Sequence, residues 1–207
     1  MNPFLDLRVF ELLSARLCHD LVGPIAAINN GVELLTDEDP EFVRDAISLV
    51  GDSARKAANR LQFYRFAYGF SQGAMAGPAP HALASGLFDG TAILCDYGEG
   101  VRALGLEWQK LACNLLMVGG ESLPRGGSLM LSAGALGPAL DAVGEGAGPS
   151  AAARAALVLE VPVAELTART ISAYFTGLLG QALGCRLVTT SEPGSFRISP
   201  APLTGVG

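Results

Sequence analysis

Apolar residues recur at steps of three and four through the first third of the chain. This spacing puts side chains on one face of an α-helix, so it predicts two long amphipathic helices. The first helix, with Pro3 in its first turn, runs to Leu35 and ends at the polar turn 36–40. The second extends from about Pro40 to Tyr68 and ends near Gly69. Two long helices joined by a short loop form an antiparallel hairpin.

His19 lies in the middle of the first helix, where it interrupts the apolar pattern. At about 100° per residue, the imidazole points away from an apolar stripe on the opposite face and therefore faces solvent. Pro24 lacks the N–H that would bond the carbonyl of Asp20, which predicts a bend just past the histidine. The stripe opposite His19 consists of Leu13, Leu17, Leu21, Ile25, Ile28, Val32 and Leu35, with Phe10 at its start.

A single helical hairpin cannot cover both of its apolar faces. Pairing with a second copy into a four-helix bundle solves this, so the sequence predicts a homodimer with the stripe as its core.

The face around His19 carries small or apolar side chains and one cation, which leaves room for a protein partner. Its members on the first helix are Leu12, Ala15, Arg16, Val22, Gly23 and Ala26. Counting back from the turn places four residues of the second helix level with His19: Lys56, Asn59, Arg60 and Phe63. The basic residues among them either border a docking surface or form solvated helix surface, and the sequence leaves both readings open.

The segment 71–80 is rich in Gly, Ala and Pro and is predicted to be a linker between a hairpin domain, 1–70, and a second domain, 81–207. The second domain is predicted to alternate helices and strands, which gives an α+β protein. Helices are expected over 81–97, 107–119 and 162–183, and strands over 101–106, 126–131, 138–143, 186–190 and 196–198. The segment 151–159 fits either a helix or a strand.

Composition narrows the function classes. The net charge is −6 and the pI is about 4.9, so no basic surface for nucleic acid or anionic lipid is expected and the partner is predicted to be a protein. No segment has the pattern of a signal peptide or a membrane span, and the expected compartment is the cytoplasm. The four cysteines form no C-x-x-C pair and the chain has only two histidines, so no metal site is predicted.

The segment His19-Asp20-Leu21-Val22-Gly23-Pro24 resembles the phospho-acceptor motif of two-component histidine kinases. The following AAINNGVELL, 26–35, continues it in the manner of the ChpT-like histidine phosphotransferases. This resemblance implies that His19 carries the phosphoryl group and that Asp20 orients the imidazole. It further implies transfer from the receiver domain of a hybrid histidine kinase to response regulators. The partner receiver is expected to bring its own Mg²⁺.

The second domain resembles the ATP-binding domain of histidine kinases, as a degenerate α/β sandwich of that type. Asn114 stands at the first asparagine of the N-box, but Val118 replaces the metal-holding asparagine four residues later. Ala142 stands where the family's adenine-reading carboxylate would be. No cofactor-binding residues and no ATP are therefore expected. An active ATP-dependent kinase and a non-catalytic receiver-binding protein are the alternative functions.

Overall fold

The computed structural model describes residues 6–36, 39–69 and 77–203. Helix α1 spans Leu7–Leu34 and α2 spans Pro40–Tyr68, and together they form the predicted antiparallel hairpin. The Asp6 side chain accepts from the backbone N–H of Arg8 at 2.9 Å and so caps the start of α1. Asp39 caps α2 in the same way, followed by Pro40 at the first helical position. The predicted role of Pro3 and most of the predicted linker lie outside the described residues.

The second domain is a mixed sheet with helices packed on it, which confirms the α+β prediction. Its helices are α3 (Pro80–Phe88), α4 (Glu99–Arg102), α5 (Leu106–Glu121), α6 (Ala151–Leu157) and α7 (Ile171–Ala182). Its strands are β1 (Ile93–Tyr97), β2 (Gly127–Gly134), β3 (Gly137–Val143), β4 (Cys185–Glu192) and β5 (Ser195–Pro202). The strand order is β1-β2-β3-β5-β4, with β1 parallel to β2 and the other neighbours antiparallel. Because α3 begins at Pro80, the last residue of the predicted linker belongs to this domain.

Three local predictions in this domain were wrong. Residues 93–97 form strand β1 rather than the end of a helix, because they pair with β2 from Ile93 opposite Gly127 to Tyr97 opposite Leu131. The predicted strand 101–106 is instead the end of α4, a short turn and the first residue of α5. The predicted helix 162–183 is helical only from Ile171, after a single 3₁₀ turn at Val163–Glu165.

The non-helical backbone before α7 has a packing reason. Leu166 is extended and fully buried, and its carbonyl accepts a hydrogen bond from the guanidinium of Arg8 at 2.9 Å. A continuous helix would not place this side chain in the core while presenting its carbonyl to α1. Tertiary packing therefore decides the conformation here.

Helix α5 lies between the sheet and the hairpin and fixes the hairpin's position. The Asn114 amide donates to the carbonyl of Ala67 at 2.9 Å, and the Lys110 ammonium donates to the carbonyl of Gly69. Both carbonyls lie at the carboxyl end of α2, where the helix itself offers no donors. Lys110 also places a positive charge at the negative end of the helix dipole. The second domain thus caps the carboxyl end of α2.

Candidate functional site

His19 projects from the middle of α1 into solvent, as the sequence pattern predicted. Its side chain is 84 % exposed, whereas the neighbouring Asp20 side chain is only 15 % exposed. The imidazole Nδ1 lies 3.3 Å from Asp20 Oδ1. With the ring proton on Nδ1 and shared with this carboxylate, Nε2 keeps its lone pair and faces solvent. The ring can therefore act as a nucleophile through Nε2.

Two further side chains hold Asp20 on the side away from His19. Its Oδ2 accepts from the hydroxyl of Tyr64 at 2.6 Å and from Nε of Arg16 at 3.0 Å. Burial by itself would raise the pKa of Asp20, but the Tyr64 hydrogen bond and the positive charge of Arg16 outweigh it and hold that pKa below its ordinary value. Burial and the bond to Asp20 raise the pKa of Tyr64 far above its ordinary value, so the phenol keeps its proton.

Pro24 leaves one backbone carbonyl of α1 free to bind α2. The helix continues through the proline, but Pro24 has no N–H to donate to the carbonyl of Asp20. The guanidinium of Arg60, on α2, donates to this carbonyl instead. A buried carbonyl without a donor would cost free energy, and Arg60 removes that cost. The proline therefore creates an attachment point one residue away from the histidine.

The second domain also contacts the site. Arg16 divides its guanidinium between Asp20 and Glu121, the last residue of α5, with Nη2 2.9 Å from Glu121 Oε1. Ser172, at the start of α7, donates to the same oxygen at 3.0 Å. Burial raises the pKa of Glu121, although Arg16 and Ser172 pull it the other way. Between the hairpin and this domain lies an open groove of about 310 Å³. Its polar lining consists of Arg16, Asp20, Arg60, Tyr64, Thr91 and Glu121, and the rest is mostly apolar.

The predicted docking residues differ in their exposure and in their contacts. Ala15, Val22, Gly23, Ala26 and Lys56 are exposed around His19, as a docking surface requires. The assignment of Phe63 to the docking face was wrong. Phe63 is fully buried, because the second domain packs on that face of α2. Leu12 is half-buried and packs against the same core.

Both arginines and the asparagine assigned to the docking face are occupied within the chain. Arg16 binds Asp20 and Glu121, Arg60 binds the Asp20 carbonyl, and Asn59 donates to the carbonyl of Gly86 at 3.0 Å. Their hydrogen bonds therefore stabilise the packing beneath the site, and their polar groups are not free to bind a partner.

The predicted dimer stripe is likewise divided. Leu13 and Leu17 pack against the chain's own core, and Leu21 and Ile28 are half-buried. Ile25, Val32 and Leu35 remain exposed in the single chain.

Tyr64, Glu121 and Ser172 are site residues that sequence reasoning missed. Tyr64 lies four residues after Arg60 on α2, so extending the same helix face by one turn would have found it. No sequence signal pointed to Glu121 or Ser172. They reach the site only because α5 and α7 pack beside the hairpin.

The residues at the positions that resemble a nucleotide site contribute to packing and to contacts within the chain. Val118 and Ala142 are buried apolar side chains, and the Asn114 amide binds the end of α2. Asp141, the neighbour of Ala142, makes an ion pair on the sheet with Arg197, whose Nη1 lies 2.7 and 2.5 Å from the two carboxylate oxygens.

No group of three or more His, Cys, Asp or Glu side chains converges as metal ligands among residues 6–36, 39–69 and 77–203. None of the helices described has both the length and the apolar character needed to cross a bilayer.

Comparison with known proteins agrees with this geometry. Residues 80–194 match the family model described as the histidine phosphotransferase C-terminal domain. The chain belongs to this family. It is 39 % identical over 128 residues to the protein phosphotransferase ChpT of Brucella abortus (strain 2308), a match that spans 57 % of this chain and 57 % of that protein. A solved structure titled as a bacterial phosphotransferase superposes with a TM-score of 0.79 and 28 % identity, covering 96 % of this chain and 98 % of that one.

Proposed function

We propose that this histidine phosphotransferase carries a phosphoryl group on Nε2 of His19 between the receiver domains of a phosphorelay. The observation that carries the proposal is the pairing of an exposed imidazole with a half-buried carboxylate bound to its Nδ1 side. Membership of the family and the likeness to ChpT support the same reading. The donor is a receiver domain of a hybrid histidine kinase, and the acceptors are response regulators.

The chemistry is a reversible exchange of one bond for another. The Nε2 lone pair attacks the phosphorus of a receiver's aspartyl phosphate, a P–N bond forms, and the P–O bond to the aspartate breaks. The aspartate leaves as a carboxylate, and the proton on Nδ1 stays shared with Asp20. In the second step the carboxylate of another receiver attacks phosphorus and the P–N bond breaks. Such transfers depend mainly on positioning, which the fixed Asp20 supplies.

The receiver is the proposed source of Mg²⁺, and ATP is not a proposed substrate. The apolar side chains of Val118 and Ala142 offer no lone pair to a metal ion or to adenine. Calorimetric titration with Mg-ATP tests this part of the proposal, and we expect no detectable heat. Micromolar binding would favour the alternative of an active kinase.

A homodimer is part of the proposal. Ile25, Val32, Leu35 and Phe42 leave large apolar areas exposed on one side of the hairpin, in a pattern that a second copy would cover. The four cysteines are all unpaired, which fits the reduced thiols of the expected compartment, the cytoplasm.

The direct test is uptake of radiolabel from an isolated receiver domain phosphorylated with labelled acetyl phosphate. His19→Gln should abolish uptake, because it removes the nucleophile from an exposed position without disturbing the core. His81→Ala is the matched control, since His81 lies on α3 and contacts Tyr97 rather than the site. Uptake that persists in His19→Gln would reject the assignment, and binding of the receiver without label on the wild type would favour the non-catalytic alternative.

A further inference from the structure

Asp20 Oδ2 receives two donors while Oδ1 receives one. Tyr64 and Arg16 both bind Oδ2, at 2.6 and 3.0 Å, and the His19 ring lies 3.3 Å from Oδ1. A carboxylate can rotate about its bond to the chain, which would exchange the two oxygens. Two donors on one side hold it in a single rotation and leave Oδ1 aimed at Nδ1 of His19.

The direction of the Arg16 guanidinium is itself set by the second domain. Glu121 binds Nη2 at 2.9 Å, and Ser172 holds Glu121 Oε1 at 3.0 Å. With Nη2 committed to Glu121, Arg16 offers Asp20 its Nε rather than a two-pronged grip on both oxygens. Without Glu121 the fork is free to take both oxygens, and Oδ1 would then be drawn away from the imidazole.

We infer that Tyr64 and Glu121 are positioning residues for phosphoryl transfer, which act on His19 through Asp20. Tyr64 acts directly on Oδ2, and Glu121 acts through Arg16. Their joint effect is to keep the proton of His19 on Nδ1, so that Nε2 remains the nucleophile. This inference rests on the proposed function. It makes α5 and α7 of the second domain part of the transfer site rather than a passive support.

The packing of Tyr64 allows its hydroxyl to be tested separately from its ring. The ring stacks on Tyr68 with centroids 5.8 Å apart and meets Phe63 edge-on at 6.2 Å. Tyr64→Phe keeps both contacts and removes only the donor to Asp20. Tyr174→Phe on α7 is a matched control, since it removes a phenol away from Asp20. Asp141→Asn is the control for Glu121→Gln, because it weakens an ion pair on the sheet.

The first readout is the tautomer of His19 in protein labelled with ¹⁵N-histidine, at a pH where the ring is neutral. The chain has only two histidines, so the spectrum contains two rings and His81 serves as an internal reference. We expect the wild type and both controls to show His19 mainly as the Nδ1–H form. Tyr64→Phe and Glu121→Gln should shift it towards the Nε2–H form.

The second readout is transfer from a receiver domain phosphorylated with acetyl phosphate. For Tyr64→Phe we expect the maximal rate constant to fall roughly tenfold, as for a lost hydrogen bond to a charged group, with the half-saturating receiver concentration unchanged. For Glu121→Gln we expect a smaller decrease of the maximal rate constant. An unchanged tautomer and rate in the folded variants would overturn the inference, as would a change confined to the half-saturating concentration. If the wild type takes up no phosphoryl group, the proposed function fails instead, and the tautomer shifts still report on positioning.

Discussion

The two ends of the helical hairpin carry similar apolar patterns, but they bury them differently. In the packed half, the second domain covers one face of the hairpin. The residues of this face are at most 5 % exposed: Val9 on α1 and Phe63, Tyr64, Phe66 and Ala67 on α2. In the turn half, around Ile25 to Leu35 and Phe42 to Leu49, the same kind of residue stays on the surface. Val32 is 50 % and Phe42 51 % exposed. The periodicity of a helix therefore reveals that a face is buried, and not what buries it.

His19 sits where these two halves meet. Towards the packed half, its neighbour Asp20 is fixed by Tyr64 and Arg16. Towards the turn half, Val22 and Ala26 remain exposed and available to a partner. The site thus combines a rigid support below the imidazole with an open surface beside it, which suits a group that must meet successive receivers.

The largest expected effect comes from truncating a side chain of the packed half. Phe63→Ala should lower the free energy of unfolding by about 3–5 kcal/mol, because it removes a fully buried ring from a core that cannot fully collapse. Denaturant titration measures this, and the loss should not depend on protein concentration. Phe42→Ala is the matched change in the turn half. It should cost little at low concentration and more where the dimer forms.

The proposed dimer can be broken from the turn half alone. Val32→Asp should weaken dimerisation by roughly a hundredfold or more, since a carboxylate buried without a partner costs several kcal/mol. Light scattering across a dilution series would show it. Val22→Asp is the control on the side of His19, and it should leave the dimer intact while weakening receiver binding. A wild-type monomer at micromolar concentration would show that the exposed stripe has another partner.

Much of this architecture was predictable from the sequence, for reasons that particular residues make clear. The bounds of α2, the exposure of His19 and the hairpin of β4 and β5 follow from local signals: proline and glycine at helix ends, periodicity, and a Glu-Pro-Gly turn. Strand β1 and the extended segment around Leu166 did not, because partners distant in sequence decide them. The same limit applies to the site. Asp20 could be named from its motif, whereas Glu121 approaches it from 101 residues away in sequence (121 − 20).

Two glycines sharpen the contrast between buried and open helix surface. A Cβ on Gly31 would lie 2.6 Å from Cγ2 of Val50 and 3.4 Å from the carbonyl oxygen of Ala46, so Gly31→Ala should destabilise the hairpin by about 1–3 kcal/mol. A Cβ on Gly51 meets nothing within 4 Å. Gly51→Ala should therefore stabilise α2 by about 0.5–1 kcal/mol through helix propensity. Thermal unfolding of the two variants measures both changes in stability, which should have opposite signs. Equal shifts of the melting temperature would contradict this packing.

The smallest expected effect is the pH dependence contributed by Asp20. Its folded pKa is below the ordinary value of 3.8, so its ionised contacts stabilise the fold above that value and are lost as pH falls through the folded pKa. Asp20→Asn has no ionisable group at this position, so it cannot lose stability by protonation there. The difference in unfolding free energy between the two proteins should shrink as pH is lowered from about 6 to about 3. The raised pKa of Glu121 favours the opposite trend, and burial, its main cause, is present in both proteins. A difference that grows towards acid would contradict the assigned contacts of Asp20.

The central claim, that His19 carries the phosphoryl group through Nε2, is tested most directly by locating the phosphorus atom. The wild-type protein would be phosphorylated by a labelled receiver domain, kept near neutral pH, and studied by proton–phosphorus correlation NMR with ¹⁵N-labelled histidines. We predict a single phosphohistidine, bonded at Nε2 of His19, with Nδ1 still protonated beside Asp20. Phosphate on Nδ1, on His81 or on no histidine would contradict it.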